Sequence, residues 1–282
     1  MGDIRVGYHT ITWGMEGFEL ALDEIAALGF KGFETFAAVV DTYGNRVSEF
    51  QDIIGQRGLQ LVTVYGGGPM NESHRMDEMV ARNVGFAKFL AAHGADRLVL
   101  GGGSRAPDGP SDEELLNQAH CMDEIGRRCL DFGVLACYHP HYATTVESEE
   151  EIEIMMDYTD PRYVFLCPDT AHLRKGGGDE LSVVRTYADR VKYVHLKDWD
   201  PQAFADSQSA PAQGADAATA ILPDFVELGT GVVHVKECVQ VLQESGYAGW
   251  LMIELDRSRS TPKASAATNK AFVEQELGLA VG

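Results

Sequence analysis

Leu28-Gly29-Phe30-Lys31-Gly32-Phe33-Glu34 and Ser245-Gly246-Tyr247-Ala248-Gly249-Trp250-Leu251 repeat one pattern near opposite ends of the chain. In each, an amphipathic stretch stops at a glycine, the usual left-handed helix terminator, and a short apolar run follows. The same punctuation recurs at Gly58, Gly94 and Gly133. Working outward from these stops, hydrophobic patterning predicts strands over residues 4–11, 32–36, 60–65, 97–100, 134–141, 163–169, 191–197 and 250–255. Amphipathic helices are predicted between them, over 19–28, 47–56, 76–93, 112–132, 149–157, 181–188 and 234–245.

Eight such units in 282 residues come to about 35 residues each, the scale of a βα module. Strict alternation argues for a parallel sheet, and eight units are the number that closes a TIM barrel. The expected architecture is therefore an α/β fold, a single (β/α)8 TIM barrel over residues 1–282. An open doubly wound sheet is the competing topology, but no G-x-G-x-x-G follows the first strand. The triplets Gly66-Gly67-Gly68, Gly101-Gly102-Gly103 and Gly176-Gly177-Gly178 follow strands three, four and six, and read as βα loops on the catalytic face. Residues 201–224, rich in Ala, Gln, Ser, Asp and Pro, are expected to form a long mobile loop after strand seven with a lid-like role.

Lys and Arg number 23 against 43 Asp and Glu, a formal net charge of −20. That balance argues against nucleic acid, whose phosphates need a basic face, and against an anionic membrane surface. No apolar run approaches the ~20 residues of a membrane helix, and Met1-Gly2-Asp3-Ile4-Arg5-Val6 has no secretory pattern. The five cysteines are odd in number, widely spaced and without a C-x-x-C pair, as expected of free thiols in a reducing cytoplasm.

Titratable and metal-ligating residues gather at the predicted C-terminal strand ends, where barrel enzymes place their sites. Strand two ends at Glu34, strand five carries Cys137, His139 and His141 on one face, and strand six runs into Cys167-Pro168-Asp169-Thr170-Ala171-His172. Strand seven reads Val194-His195-Leu196-Lys197-Asp198, and strand eight ends Ile253-Glu254-Leu255-Asp256. Taken singly, each has a bland reading: a histidine satisfied in the core, or an aspartate capping a helix. Convergence changes that reading. An Asp, a His and a Glu at the same end of successive strands face one spot, and carboxylates packed there repel unless a cation neutralises them. Mixed carboxylate and imidazole donors suit Mn2+, Co2+, Zn2+ or Fe2+ better than Ca2+ or Mg2+.

At these residues the chain resembles the xylose isomerase-like TIM barrels, the sugar phosphate isomerase/epimerase superfamily. The matching pieces are Cys167-Pro168-Asp169-Thr170-Ala171-His172-Leu173, His195-Leu196-Lys197-Asp198, Leu228-Gly229-Thr230-Gly231-Val232-Val233, and Gly246-Tyr247-Ala248-Gly249-Trp250 leading to Glu254. Tyr138-His139-Pro140-His141-Tyr142-Ala143-Thr144 is most similar to the inosose dehydratase branch. The resemblance implies one divalent metal ion, Mn2+ first and Co2+, Zn2+, Fe2+ or Mg2+ as alternatives, held by Asp169, His195, Glu254 and a ligand from strand five. Isomerases and epimerases of the superfamily usually carry a Glu there. Strand five here offers Cys137, His139 and His141, with no carboxylate before Glu147; His139 is favoured as ligand and His141 as base or substrate contact over the reverse, with Cys137 the other position open.

The implied activity is α-proton abstraction from a keto-sugar or keto-cyclitol followed by loss of water. His141 is the expected base, with Glu254 its alternative; His172 and Lys197 contact substrate oxygens; Trp13, His9, Glu34 and Tyr65 line the substrate, with Tyr8 beside them. Lys197 also has a plain reading, an ion pair with Asp198. A ketose 3-epimerase or aldose–ketose isomerase, a subunit eliminating from a 3-keto glycoside, and a non-catalytic sugar-binding barrel are the alternatives. A DNA-repair endonuclease of the same barrel type is disfavoured by the −20 charge. The expected partner is a small keto-sugar or cyclitol, with a homo-oligomer or partner subunit open.

Overall fold

Gly29 and Gly246, the helix stops of the repeated phrase, adopt φ of +95° and +79°, a region that other residues enter only with strain. The second glycine of each phrase serves close approach instead. A Cβ on Gly32 would strike the ring of Trp250, and one on Gly249 would lie 2.8 Å from the Tyr247 hydroxyl. The two ends of the chain thus meet: Trp250 from the last barrel strand lies over Gly32 of the second.

The computed structural model describes residues 3–209 and 222–282. Its barrel strands are β1 (Ile4–His9), β2 (Gly32–Phe36), β3 (Gln60–Gly67), β4 (Arg97–Gly101), β5 (Leu135–His139), β6 (Val164–Leu166), β7 (Val194–Leu196) and β10 (Gly249–Ile253). They pair in parallel in the order β6-β5-β4-β3-β2-β1-β10-β7. Single parallel bridges, Leu166 to Val191 and Asp169 to His195, join β6 to β7 and close the circle. The fold is the expected (β/α)8 TIM barrel. Between β7 and β10 lies a small antiparallel ribbon, β8 (Asp198–Trp199) with β9 (Phe225–Val226).

Inside the barrel, Val62, Val99, Cys137, Cys167, Tyr193, Trp250 and Met252 fill a packed layer. All five cysteines are free and buried. The helices pack outside. Two begin with reciprocal capping boxes, Ser111 with Glu114 and Ser148 with Glu151, which satisfy the first orphan amides. Among the described residues no helix is long and apolar enough to cross a membrane.

Predicted strand cores hold, but several ends are shorter: residues 10–11 form a 3-10 turn, Thr10–Trp13, and strand six is only Val164–Leu166. The helix Pro262–Gln275 was not anticipated, although Thr261 caps it and Pro262 occupies its first turn. The stretch expected as a loop over 201–224 begins as a helix, Pro201–Ser209. Residues 210–221 of that expectation lie outside the described residues.

The Gly32–Trp250 contact predicts that Gly32→Ala overpacks the barrel floor, lowering stability by about 1–3 kcal/mol in urea unfolding. Unchanged stability would mean the contact relaxes freely.

Candidate metal centre

Asp169 shows how one residue serves two purposes. It is the N-cap of the helix Thr170–Lys175, and its Oδ1 accepts the Ala171 and His172 amides at 2.9 Å each. That leaves Oδ2 buried without a hydrogen-bond partner, facing the barrel axis between two imidazoles. His139 Nε2 is 3.5 Å from it and His195 Nδ1 is 3.8 Å away. One ligand atom from each of His139, Asp169 and His195 lies within 4.8 Å of the others, and all three residues are fully buried.

His195 is held from both sides. Its Nε2 is 2.8 Å from Glu34 Oε2, which also accepts the Tyr193 hydroxyl at 2.9 Å. Its Nδ1 lies 2.8 Å from Glu254 Oε2 without the alignment of a hydrogen bond, and both atoms are buried and unpartnered. Both ring nitrogens of His139 are likewise unpartnered. Unsatisfied buried polar atoms are costly, and native proteins leave few of them. Here they converge on one point, at separations near the ~3–4 Å between ligands sharing a metal with bonds of about 2.1 Å. The residues present therefore fit a divalent cation.

The electrostatics agree. Burial alone would lower the His195 pKa, yet the Glu34 and Glu254 carboxylates outweigh it and raise it well above the ordinary value. Burial would raise Asp169, but the Lys197 charge and His139 hold it down. Glu254 is held down by Lys197 and His195 against the same desolvation. This pocket demands positive charge.

Above the cluster, toward the mouth, Lys197 is fully buried. Its Nζ donates to Glu254 Oε1 at 2.8 Å and to His172 Nε2 at 3.2 Å, and forms an ion pair with Asp256 Oδ1 at 2.6 Å. It does not pair with Asp198. That carboxylate instead accepts the amides of Trp199, Gly229, Gly231 and Val233 and shapes the 228–233 loop. The His141 and His172 rings lie 3.5 Å apart between centroids, and His141 Nδ1 sits 2.6 Å from the Tyr142 carbonyl. Phe225 of β9 covers this group, 4.7 Å from the His172 ring and 4.2 Å from Lys197 Nζ.

The xylose isomerase-like TIM barrel family matches residues 22–275. The chain belongs to that family. An inosose dehydratase of Clostridium botulinum is 27% identical over 302 aligned residues, covering 98% of each chain. The crystal structure of a probable 3-DHS dehydratase, AsbF of Bacillus anthracis, matches with a TM-score of 0.75 at 12% identity, over 98% of this chain and 100% of that one. The IOLI protein, solved with a zinc atom bound, matches at 0.75 with 14% identity, over 97% and 98%. At those identities the two structures speak for the fold.

In this family member, strand five brings His139 to the cluster, while Cys137 points into the apolar layer below. His9, Glu34, Tyr65, His172 and Lys197 also surround the centre: His9 Nε2 is 3.7 Å from Glu34 Oε1, and the Tyr65 ring is 5.5 Å from that of His139. Trp13 departs from expectation. Its indole donates to Glu24 at 2.7 Å and packs edge-on against Tyr8 in the outer helix layer, away from the mouth. Tyr8 is buried there too, its hydroxyl accepting from Asn269. Neither residue lines the substrate as expected. The alternation of β1 sends Tyr8 outward, and the 3-10 turn carries Trp13 after it.

Tyr193 and Asp256 were missed, although each lies two residues from a named ligand candidate on the same strand face. Removing the Lys197 charge leaves Glu254 buried beside an unneutralised cluster. Lys197→Met is expected to cost about 3–5 kcal/mol in the metal-free protein, read by urea unfolding in chelator. A cost below about 1 kcal/mol would place the ammonium outside the charge balance of the site.

Proposed function

We propose that this protein is a divalent-metal-dependent lyase that dehydrates a keto-cyclitol or keto-sugar. The observation that carries the reading is the convergence of unpartnered donor atoms from His139, Asp169, His195 and Glu254 beneath a charged Lys197. Those four residues would hold the ion, and their mixed nitrogen and oxygen donors suit Mn2+, Co2+, Zn2+ or Fe2+. When bound, such an ion polarises a ketone and stabilises the negative charge that develops as the neighbouring proton leaves. The full-length likeness to inosose dehydratases supports a cyclic polyol ketone as substrate.

The protein's own groups account for the proton traffic. His141 donates from Nδ1 to the Tyr142 carbonyl, which leaves Nε2 as an acceptor for the α-proton. Burial, with the neighbouring His139 and Lys197, lowers its pKa to about 4, so it is unprotonated at neutral pH. That is a weaker base than a histidine titrating near neutrality. His172 accepts from Lys197 at Nε2 and carries its own proton on Nδ1, the atom without a partner. That proton goes to the departing hydroxyl, while Lys197 passes one of its own to Nε2. Solvent at the half-exposed Asp256 restores the lysine. His141 in turn gives up its proton to solvent, so the enzyme returns to its starting state and the sum is loss of one proton and one hydroxide, that is, of water.

Glu34 orients His195 from behind, as carboxylates commonly do for metal-bound histidines. Glu34→Gln is expected to weaken Zn2+ binding about 10–100-fold by competition with a chelating dye. Asp169→Ala and His195→Ala are expected to purify without metal; retention of the ion by both would remove the assignment.

Metal-loaded enzyme is expected to convert 2-keto-myo-inositol to an unsaturated ketone, followed by ultraviolet absorbance. His141→Ala should lower kcat by about 10²–10⁴-fold. Deuterium uptake from D2O without loss of water would favour the ketose epimerase instead.

A further inference from the structure

The glycine triplets of β3 and β4 were expected as loops but begin inside the strands, Gly66 and Gly67 ending β3 and Gly101 ending β4; they play no part in the chemistry above, yet they lie beside it. Gly67 and Gly101 face each other so closely that a Cβ on Gly67 would strike the Gly101 backbone, and one on Gly101 would strike the Tyr65 hydroxyl. Side chains are thereby excluded from a strip that starts at Tyr65, next to His139, and runs outward across Gly68 and Gly102. Two adjoining cavities of about 190 and 380 Å³ open along it, sharing Gly68 and Gly102. The larger is within the range of small-molecule pockets.

Bare backbone alone does not make a site. The second observation is Asn71, which lines the outer cavity and is 9% exposed. Its Nδ2 donates to Glu114 Oε1 at 3.2 Å, which fixes the orientation of the amide. Its Oδ1 has no partner and rests against the missing side chain of Gly103, where a Cβ would come within 2.6 Å. A buried acceptor without a donor is costly to leave open. A hydroxyl satisfies it; a phosphate or carboxylate oxygen does not. Two cations line the trough: Arg75 is already engaged by Glu78 at 2.9 Å and Glu72 at 3.7 Å, and Arg82, on the inner cavity, lies over the Phe86 ring, 5.4 Å from its centroid.

We propose that this trough is a second binding subsite, taking a neutral, hydroxyl-bearing substituent such as a glycosyl unit carried by the ring at the barrel mouth. The inference deepens the proposed function and rests on its placing a cyclic polyol over the metal centre. It widens the substrate class from a bare ring to a conjugated one.

Calorimetric titration of the zinc-loaded full chain with myo-inositol and with galactinol, its galactosyl conjugate, tests this without turnover. Galactinol is expected to bind about ten-fold tighter, the worth of one or two good hydrogen bonds. Asn71→Leu, which removes the acceptor, and Ser104→Trp, which fills the outer end from an exposed position, should each abolish that preference. If Asn71→Leu does not fold, Ser104→Trp decides alone. Equal affinities in the unmodified protein, binding of neither probe, or a preference that survives the folded variants would overturn the subsite. The lyase reading fails on a different result, the absence of keto-cyclitol turnover by metal-loaded enzyme.

Discussion

His195 is clamped between two carboxylates in a space closed to water, and the rest of the site is arranged around that fact. Glu34 and Glu254 each approach the ring to 2.8 Å, and Asp169 turns its free oxygen toward the same nitrogen as Glu254. Three buried carboxylates repel one another strongly enough that some positive charge has to be present. Lys197 supplies part of it from above, and the flanking carboxylates push the His195 pKa up. A divalent ion would meet the same demand and would also take the unpartnered Nε2 of His139, the ring nitrogen 3.5 Å from Asp169 Oδ2.

The barrel makes this cluster affordable by spreading it over separate strands. β6 and β7 meet only through single bridges, one of them between Asp169 and His195 themselves, so the seam of the barrel is also the wall of the site. Thr170 ties the seam further, exchanging hydrogen bonds with the Lys197 backbone at 2.7 and 3.0 Å. Below, an apolar layer containing Cys137 and Cys167 keeps the charges dry. Above, the β8–β9 ribbon lays Phe225 over Lys197.

Much of this was legible in the sequence because strand ends in a closed barrel must converge. Asp169, His195 and Glu254 each terminate a short apolar run, and that placement was enough to group them. The strand-five donor was less certain, since Cys137, His139 and His141 share a face. Depth separates them: Cys137 lies a layer too low, and His141 lies at the mouth against His172. Trp13 misled because its orientation depends on a 3-10 turn that hydrophobic alternation does not register. The ion pairing of Lys197 with Asp256, and not Asp198, depends on side-chain direction across neighbouring strands. Asn71 carried no sequence signal, because what distinguishes it is an atom left without a partner.

The central claim is that His139, Asp169, His195 and Glu254 together hold one divalent ion. X-ray absorption at the zinc edge of the zinc-loaded protein tests it most directly. The account predicts a first shell of nitrogen and oxygen at about 2.0–2.1 Å, with the outer-shell scattering of two imidazoles. A sulfur shell at about 2.3 Å, which would bring in Cys137, or a shell without imidazole would contradict it.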